Sequence, residues 1–159
     1  MTTVQASIIE WFNKAKPEPT IRDCEIQIGV HLEEIAEMLE VLEKLARTNK
    51  TRKLFSDARQ AMGNVAVATK NSPLTIELAL LDKEAEIQLL DSIVDQAVTG
   101  IGICTFLNQD YEGALEEVTC SNWSKFTKEG KPIFLENGKI GKSANYVKPN
   151  LKPFLGQIK

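Results

Sequence analysis

The stretch GVHLEEIAEMLEVLEKL at residues 29–45 decides the fold class of this chain. Its apolar residues return every three or four positions, which predicts a long amphipathic helix. Three carboxylates, Glu33, Glu34 and Glu37, lie close together on that helix, although like charges on neighbouring turns destabilise it. Either these side chains face water, or something positive lies between them.

Helical spacing extends over most of the chain. Residues 3–15 predict a short amphipathic helix, and apolar positions at residues 54–66 predict another. Apolar positions are nearly continuous around the helix predicted at residues 74–107, which therefore indicates a central, largely buried helix. A shorter helix follows at residues 111–118. The expected fold is an all-α bundle of four to five helices.

Side chains that cap helices mark two of the expected starts. Thr20, or Asp23 a little later, can cap the long helix, and Asp110 can cap the last one. Beyond residue 121 the sequence becomes rich in Gly, Pro, Asn and Lys, and Asn137-Gly138 predicts a hairpin. We therefore expect a single domain over residues 1–159, with a helical body at 1–121 and a C-terminal tail of ribbon or loop at 122–159.

Composition and charge narrow the class of protein. A chain of 159 residues with 43% hydrophobic and 26% charged residues suits one soluble globular domain. The longest apolar run, at residues 93–107, contains Asp95 and falls short of the ~20 apolar residues of a membrane span. No secretory signal is visible, which predicts a cytoplasmic protein without a membrane partner.

Cysteine and histidine give little support to other chemistries. Cys24, Cys104 and Cys120 are odd in number and far apart, which disfavours disulfides and structural zinc and predicts ordinary buried thiols. His31, the single histidine, falls in the apolar stripe, so we expect a residue that packs in the core or supports a metal ligand and not a ligand itself. A catalytic triad has no support.

Charge is distributed unevenly along the chain. The net charge is −3, yet residues 123–159 carry +6 and the rest carries −9. Such a basic tail either only contributes to solubility or closes over anions held at the acidic body. The acidic body and a pI of about 5.3 disfavour nucleic acid as a partner.

A second acidic run lies on the helix predicted at residues 74–107. Its members Glu84, Gln88, Asp91 and Asp95 are spaced by four, three and four, so they stack in one line. Carboxylates among aliphatic neighbours suffer desolvation and repulsion unless a cation compensates them. If the two acidic helices pack antiparallel, four carboxylates offer the oxygen ligands that Mg²⁺ or Mn²⁺ prefers. The predicted metal ligands are Glu34, Glu37, Asp91 and Asp95; the alternative is that the acids on the first helix form a solvated face.

Several motifs follow one another in an order that resembles the all-α nucleoside triphosphate pyrophosphatase superfamily. They are LEEIAEMLE, LLDSIVDQAVTGIG and, in the tail, EEVTCSNWSKF, GKPI and ENGKIGKSANYVKPNL. The superfamily includes MazG-like proteins, dimeric dUTPases and phosphoribosyl-ATP pyrophosphohydrolases. Its second motif commonly reads ExxD, whereas here Gln88 stands three residues before Asp91, so the membership of the second acidic pair stays open.

The resemblance implies hydrolysis of a nucleoside triphosphate to a monophosphate and pyrophosphate with Mg²⁺, or Mn²⁺ in its place. Glu33 or Glu34 is the implied base that orients the attacking water, and a homodimer or homotetramer is the implied assembly. The alternatives are an enzyme restricted to dUTP or dGTP and a non-catalytic helical interaction protein. The implied substrate-binding residues of the tail are Lys125, Lys139 and Lys142 for phosphate and Asn122, Asn145 and Tyr146 for sugar or base.

Overall fold

The computed structural model describes residues 3–73 and 76–156, and within these residues it contains α-helices and 3₁₀ turns but no strand. The all-α prediction is therefore confirmed. The five α-helices are α1 (Thr3–Ala15), α2 (Ile21–Leu45), α3 (Asn49–Asn71), α4 (Lys83–Phe106) and α5 (Tyr111–Trp123). Two 3₁₀ turns, Leu78–Leu80 and Lys152–Phe154, complete the regular structure of the described residues.

Local side-chain hydrogen bonds explain where the helices begin. Thr20 and Asp23 cap α2 together: the Thr20 hydroxyl accepts from the Asp23 amide at 3.2 Å, and the Asp23 carboxylate accepts from the Thr20 amide at 2.9 Å. Asp110 caps α5 as predicted, through the Gly113 amide at 2.9 Å. The start of α3 was predicted too late, because Thr48 accepts from the Thr51 amide and extends that helix through a polar first turn.

The chain forms two compact units. The α2–α3 unit comprises residues 19–80 and 134–139, and the α5 unit comprises residues 1–18, 81–133 and 140–159. The expected single domain and its division at residue 121 stay predictions. Residues 134–139 of the tail belong to the α2–α3 unit, so the tail contributes to both units.

Within the α2–α3 unit the two helices approach closely at Gly29. A Cβ added to Gly29 would lie 2.6 Å from Cγ of Lys70 and 3.0 Å from the Ala66 carbonyl oxygen. Near the same crossing, the Arg22 guanidinium donates to the carbonyl of Thr69 at 2.9 Å and to that of Lys70 at 2.6 Å. Since the last carbonyls of a helix have no partner within the helix, Arg22 satisfies the end of α3 from α2.

The α5 unit is held by aromatic side chains of α1 and of the segment after α5. Trp11, Ala15 and Phe126 form its buried cluster, against which Trp123 packs. Both indole groups find acceptors: Trp11 Nε1 donates to the Asn122 carbonyl at 2.7 Å, and Trp123 Nε1 donates to the Ser7 hydroxyl at 2.9 Å. These bonds fix α1 against α5, since a buried indole N–H needs a partner.

Helix α4 differs most from expectation. It was predicted to be central and largely buried, but no residue of α4 is buried in the single chain. Val98 is 60% exposed and Phe106 is 90% exposed. By length and composition alone, α4 is also long and apolar enough to cross a membrane, with a mean hydropathy of 1.3. The apolar pattern correctly indicated a helix, but it did not indicate whether that helix is buried.

Three smaller predictions of burial are wrong and one turn prediction is confirmed. Cys24 and Cys120 are exposed, and His31 is exposed on α2 and not packed in a core.

The hairpin predicted at Asn137-Gly138 is a tight turn. The Leu135 amide donates to the Lys139 carbonyl at 2.9 Å, and Gly138 lies in the left-handed region with φ of 84°.

The Gly29 contact predicts opposite effects of one substitution at two glycines. Gly29→Ala should lower the free energy of unfolding by about 1–2 kcal/mol, because the new methyl group overpacks against a buried lysine and a carbonyl. Gly63→Ala, also inside a helix of the α2–α3 unit, meets nothing within 4 Å and should raise it by up to about 1 kcal/mol. Urea denaturation of both variants measures the difference; stabilisation by Gly29→Ala would refute the close packing.

Candidate functional site

The predicted metal ligands lie on two helices that belong to different units. Glu34 and Glu37 lie on α2, and Asp91 and Asp95 lie on α4, all four with exposed side chains. Among the described residues of a single chain, no group of three or more Asp, Glu, His or Cys side chains is arranged to hold a metal ion. The four-carboxylate site therefore stays a prediction.

Glu84 and Gln88, the members of the second acidic run that are not among the predicted metal ligands, bond to each other. Gln88 Nε2 donates to Glu84 Oε1 at 2.9 Å, one helical turn apart. This bond gives Gln88 a carboxylate partner on its own helix.

Glu33 answers the question raised by the acidic helix, because two ammonium groups hold it. Lys70 Nζ from α3 lies 2.7 Å from Glu33 Oε1, and Lys139 Nζ from the tail lies 2.6 Å from Glu33 Oε2. The Lys70 side chain is buried, with 8% of its surface exposed. Positive charge therefore does lie beside the acidic run, and two lysines supply it.

These contacts set the protonation state of Glu33. Partial burial raises the pKa of its carboxyl group, but the hydrogen bonds and charges of Lys139 and Lys70 outweigh burial and lower this pKa below its ordinary value. A carboxylate with a lowered pKa and both oxygens engaged is a weak base. Glu33 is therefore poorly suited to act as a base, and a role of either glutamate in orienting water stays a prediction.

A groove of about 300 Å³ runs between α2 and α3 and is open to solvent. Small residues of both helices, Ala36, Gly63 and Ala66, leave room for it. Its polar walls come from facing stripes on the two helices. The polar lining consists of Glu33, Glu37 and Glu40 from α2 and Arg59, Gln60, Asn64 and Lys70 from α3.

Both cations of the groove are paired with carboxylates. Lys70 holds Glu33, and Arg59 Nε donates to Glu43 Oε2 at 2.8 Å. Glu40 accepts from Lys44, outside the lining, at 2.6 Å. The walls of the groove therefore carry carboxylates, side-chain amides and paired cations, and its floor is apolar.

The predicted substrate-binding residues of the tail are divided between the units. Only Lys139 belongs to the α2–α3 unit, where it holds Glu33. In the α5 unit, Lys142 Nζ lies 4.4 Å from the ring centre of Tyr146, and Lys125 Nζ lies 5.6 Å from that of Trp11. Such cation–π contacts hold the ammonium groups near the surface. The roles of these residues in binding substrate stay predictions.

The other tail residues take part in a network that fixes the loop. The side-chain amide of Asn145 donates to the Phe126 carbonyl at 3.4 Å, and its backbone amide donates to the Ser143 hydroxyl at 3.0 Å. The Ser121 hydroxyl donates to the Val147 carbonyl at 2.7 Å. Asn122 lies in the last turn of α5. The loop is therefore anchored on the end of α5 by hydroxyl and amide groups.

Sequence reasoning missed the residues that α3 contributes. Lys70, Gln60 and Asn64 lie in a segment that the resemblance did not match, and their types are ordinary on a surface helix. The spacing of Gln60 and Asn64 at four residues was the available signal, since it places these two side chains on one side of the helix. What the spacing could not indicate is that this side faces the carboxylates of α2.

Comparison with protein-family models, with curated proteins and with solved structures finds no match to this chain. The likeness to the nucleoside triphosphate pyrophosphatases therefore rests on the sequence motifs alone.

The lysine pair predicts a pH-dependent contribution of Glu33 to stability. Since folding lowers the pKa of Glu33 below 4.5, its ion pairs stabilise the fold fully above the unfolded-state pKa and lose that effect as pH falls through the folded-state pKa. Glu33→Gln should cost about 1–3 kcal/mol at pH 7, because it leaves buried Lys70 without its counter-charge. The difference from wild type should shrink below pH 4.5.

Urea denaturation of both proteins from pH 7 to pH 3.5 measures this dependence. Glu10→Gln, at an exposed position on α1, is the control and should leave stability nearly unchanged at every pH. A constant difference between Glu33→Gln and wild type over the whole range would contradict the assignment.

Proposed function

We propose that this chain is a metal-dependent nucleoside triphosphate pyrophosphohydrolase, which cleaves (d)NTP to (d)NMP and pyrophosphate. The observation that carries the proposal is the exposed pair Glu34 and Glu37 on α2, next to a groove large enough for part of a nucleotide. The order of acidic and tail motifs supports the same reaction. The overall fold is compatible with it, because the chain is all-α.

The donor set fits a hard divalent cation. Glu34 and Glu37 are one turn apart on α2 with exposed side chains, and carboxylate oxygens are the ligands that Mg²⁺ or Mn²⁺ prefers. Asp91 and Asp95 would complete the set in the assembled protein. When bound, the metal neutralises phosphate oxygens and lowers the pKa of a coordinated water. Glu34 orients the water for in-line attack on the α-phosphorus, while the lysines hold Glu33 ionised.

The exposed surface of α4 supports a homodimer or homotetramer. A helix with apolar side chains over most of its circumference needs cover, and large exposed apolar patches mark interaction surfaces. Hydroxyl groups on α4 bond to the helix itself: Ser92 donates to the Gln88 carbonyl and Thr99 to the Asp95 carbonyl. Hydroxyls satisfied in this way do not oppose burial. A second copy of the chain is the proposed cover, and a cytoplasmic location goes with it.

A membrane is a poorer cover for α4. Asp91 and Asp95 lie in the middle of the helix, and ionised carboxylates are costly at the centre of a bilayer.

Two alternatives keep the fold but change the function: an enzyme restricted to dUTP or dGTP, and a non-catalytic interaction protein. A panel of nucleoside triphosphates separates these two functions from the broad activity proposed here.

The proposed chemistry predicts the products and the effect of single carboxylates. With Mg²⁺ the wild-type protein should release pyrophosphate, not orthophosphate. Glu37→Gln and Asp91→Asn should each lower kcat/KM by about 100-fold or more, because a metal ion contributes several kcal/mol and each 1.4 kcal/mol is about tenfold. Glu116→Gln, at an exposed position on α5, is the matched control. Orthophosphate as the sole product would refute cleavage between the α and β phosphorus atoms.

The proposed assembly predicts that a charge on α4 breaks it. Val98→Glu should convert an oligomer into a monomer, because a carboxylate cannot be buried in an apolar interface without a partner. Val147→Glu, at a position that is 65% exposed in the tail, should leave the assembly intact. Light scattering during size-exclusion chromatography gives the mass of each variant. A monomeric wild-type protein at micromolar concentration would contradict the proposal.

A further inference from the structure

The α5 unit has an open apolar groove along one side of α5. Tyr111, Ala114, Leu115 and Val118 line it, and their spacing of three, one and three residues places them on one side of that helix. The charged residue of the lining is Asp110, whose carboxylate is used to cap α5. The groove has a volume of about 360 Å³. It therefore suits the apolar side chains of an occupant that carries no charge at this point.

A second wall of the groove is supplied by residues 151–155 and is bonded to α5. The Asp110 amide donates to the Phe154 carbonyl at 3.0 Å. The Asn150 amide donates to a carboxylate oxygen of Glu117 at 2.8 Å. Because hydrogen bonds join the two walls, the groove is formed before an occupant binds, which lowers the cost of binding.

Helix α4 carries an exposed surface of matching chemistry and length. Residues 96–106 have no charged side chain, and Val98 and Ile101 are 60% and 44% exposed. At 1.5 Å per residue this stretch is about 15 Å long, and the lined side of α5 is about 10 Å long. A Cβ added to Gly100 would meet no described atom within 4 Å, so no close contact in the described chain explains a glycine there. A small residue lets another helix approach closely.

The groove continues the exposed surface of α4. Cys104, in the last turn of α4, is part of the groove lining, yet no residue of α4 is buried. The chain's own α4 therefore reaches the groove at its end and does not fill it. A helix and a groove that adjoin on one surface are self-complementary, because two copies related by a twofold axis can each place a helix in the other's groove.

Resting on the homo-oligomer of the proposed function, we infer that the α5 groove receives residues 96–106 of α4 from a second copy of the chain, and that this exchange is reciprocal. A second copy covers both apolar surfaces at once. A small apolar molecule in the groove would leave α4 exposed, so it accounts for only one of them.

Cross-linking between two differently marked copies of the full chain tests the inference. One copy carries an affinity tag and a single cysteine on α4, in Ile101→Cys with Cys24→Ser, Cys104→Ala and Cys120→Ser. The other copy has a single cysteine in the groove, in Ala114→Cys with the same three replacements. After the copies are mixed and allowed to exchange, a short bis-maleimide should join them in a mixed dimer, which mass spectrometry identifies.

Native Cys120 supplies the matched control, because it is exposed and lies about 180° from Tyr111 around α5. An untagged copy that keeps Cys120 as its single cysteine should give about tenfold less mixed dimer, since only cysteines that meet in a complex react at an intramolecular rate. Equal yields from the two positions, or no mixed dimer with Ala114→Cys, would overturn the inference.

Mass and turnover distinguish failure of this inference from failure of the proposed function. A wild-type oligomer by light scattering that gives no mixed dimer refutes the groove contact and leaves self-association standing. A monomeric wild-type protein refutes both. Pyrophosphate release without the mixed dimer refutes the groove contact and supports the proposed hydrolysis, whereas the mixed dimer without turnover of any nucleoside triphosphate supports the groove contact and refutes the hydrolysis.

Discussion

The α2–α3 unit depends on a buried lysine that must find a carboxylate. Lys70 passes over Gly29, where the absence of a side chain leaves it room, and its ammonium group reaches Glu33 one turn further along α2. A buried charge without a partner would cost several kcal/mol, so this pair fixes the register of the two helices. Lys139 joins the same carboxylate and ties the turn at residues 134–139 to the helix pair.

Helix α4 has the opposite problem to Lys70: its apolar side chains are exposed to water. Each exposed aliphatic side chain gives up the free energy that burial would bring, roughly 1.5–3 kcal/mol for a complete Val, Leu or Ile side chain. A helix with this surface is stable in water only when another surface packs on it. The line of Asp91 and Asp95 then becomes significant, because an interface that buries them must also supply a cation.

Local interactions were predictable from sequence, and long-range ones were not. The caps at Thr20 and Asp110 were predicted because a side-chain oxygen and the amide it satisfies are only three residues apart. Glu33 was recognised as part of a crowded acidic run, but its partner Lys139 lies 106 residues away and gives no local signal. The burial of α4 was predicted wrongly because an apolar pattern shows that a helix needs cover, not that its own chain provides it.

The geometry of α2 links the parts of the proposed site. Successive residues of a helix turn by about 100°, so Glu37 lies about 40° from Glu33 and about 60° from Glu34 around the axis. Glu37 therefore belongs both to the stripe that lines the groove and to the exposed pair with Glu34. Because Lys70 and Lys139 engage both oxygens of Glu33, the α2 carboxylates proposed as metal ligands are Glu34 and Glu37 and not Glu33.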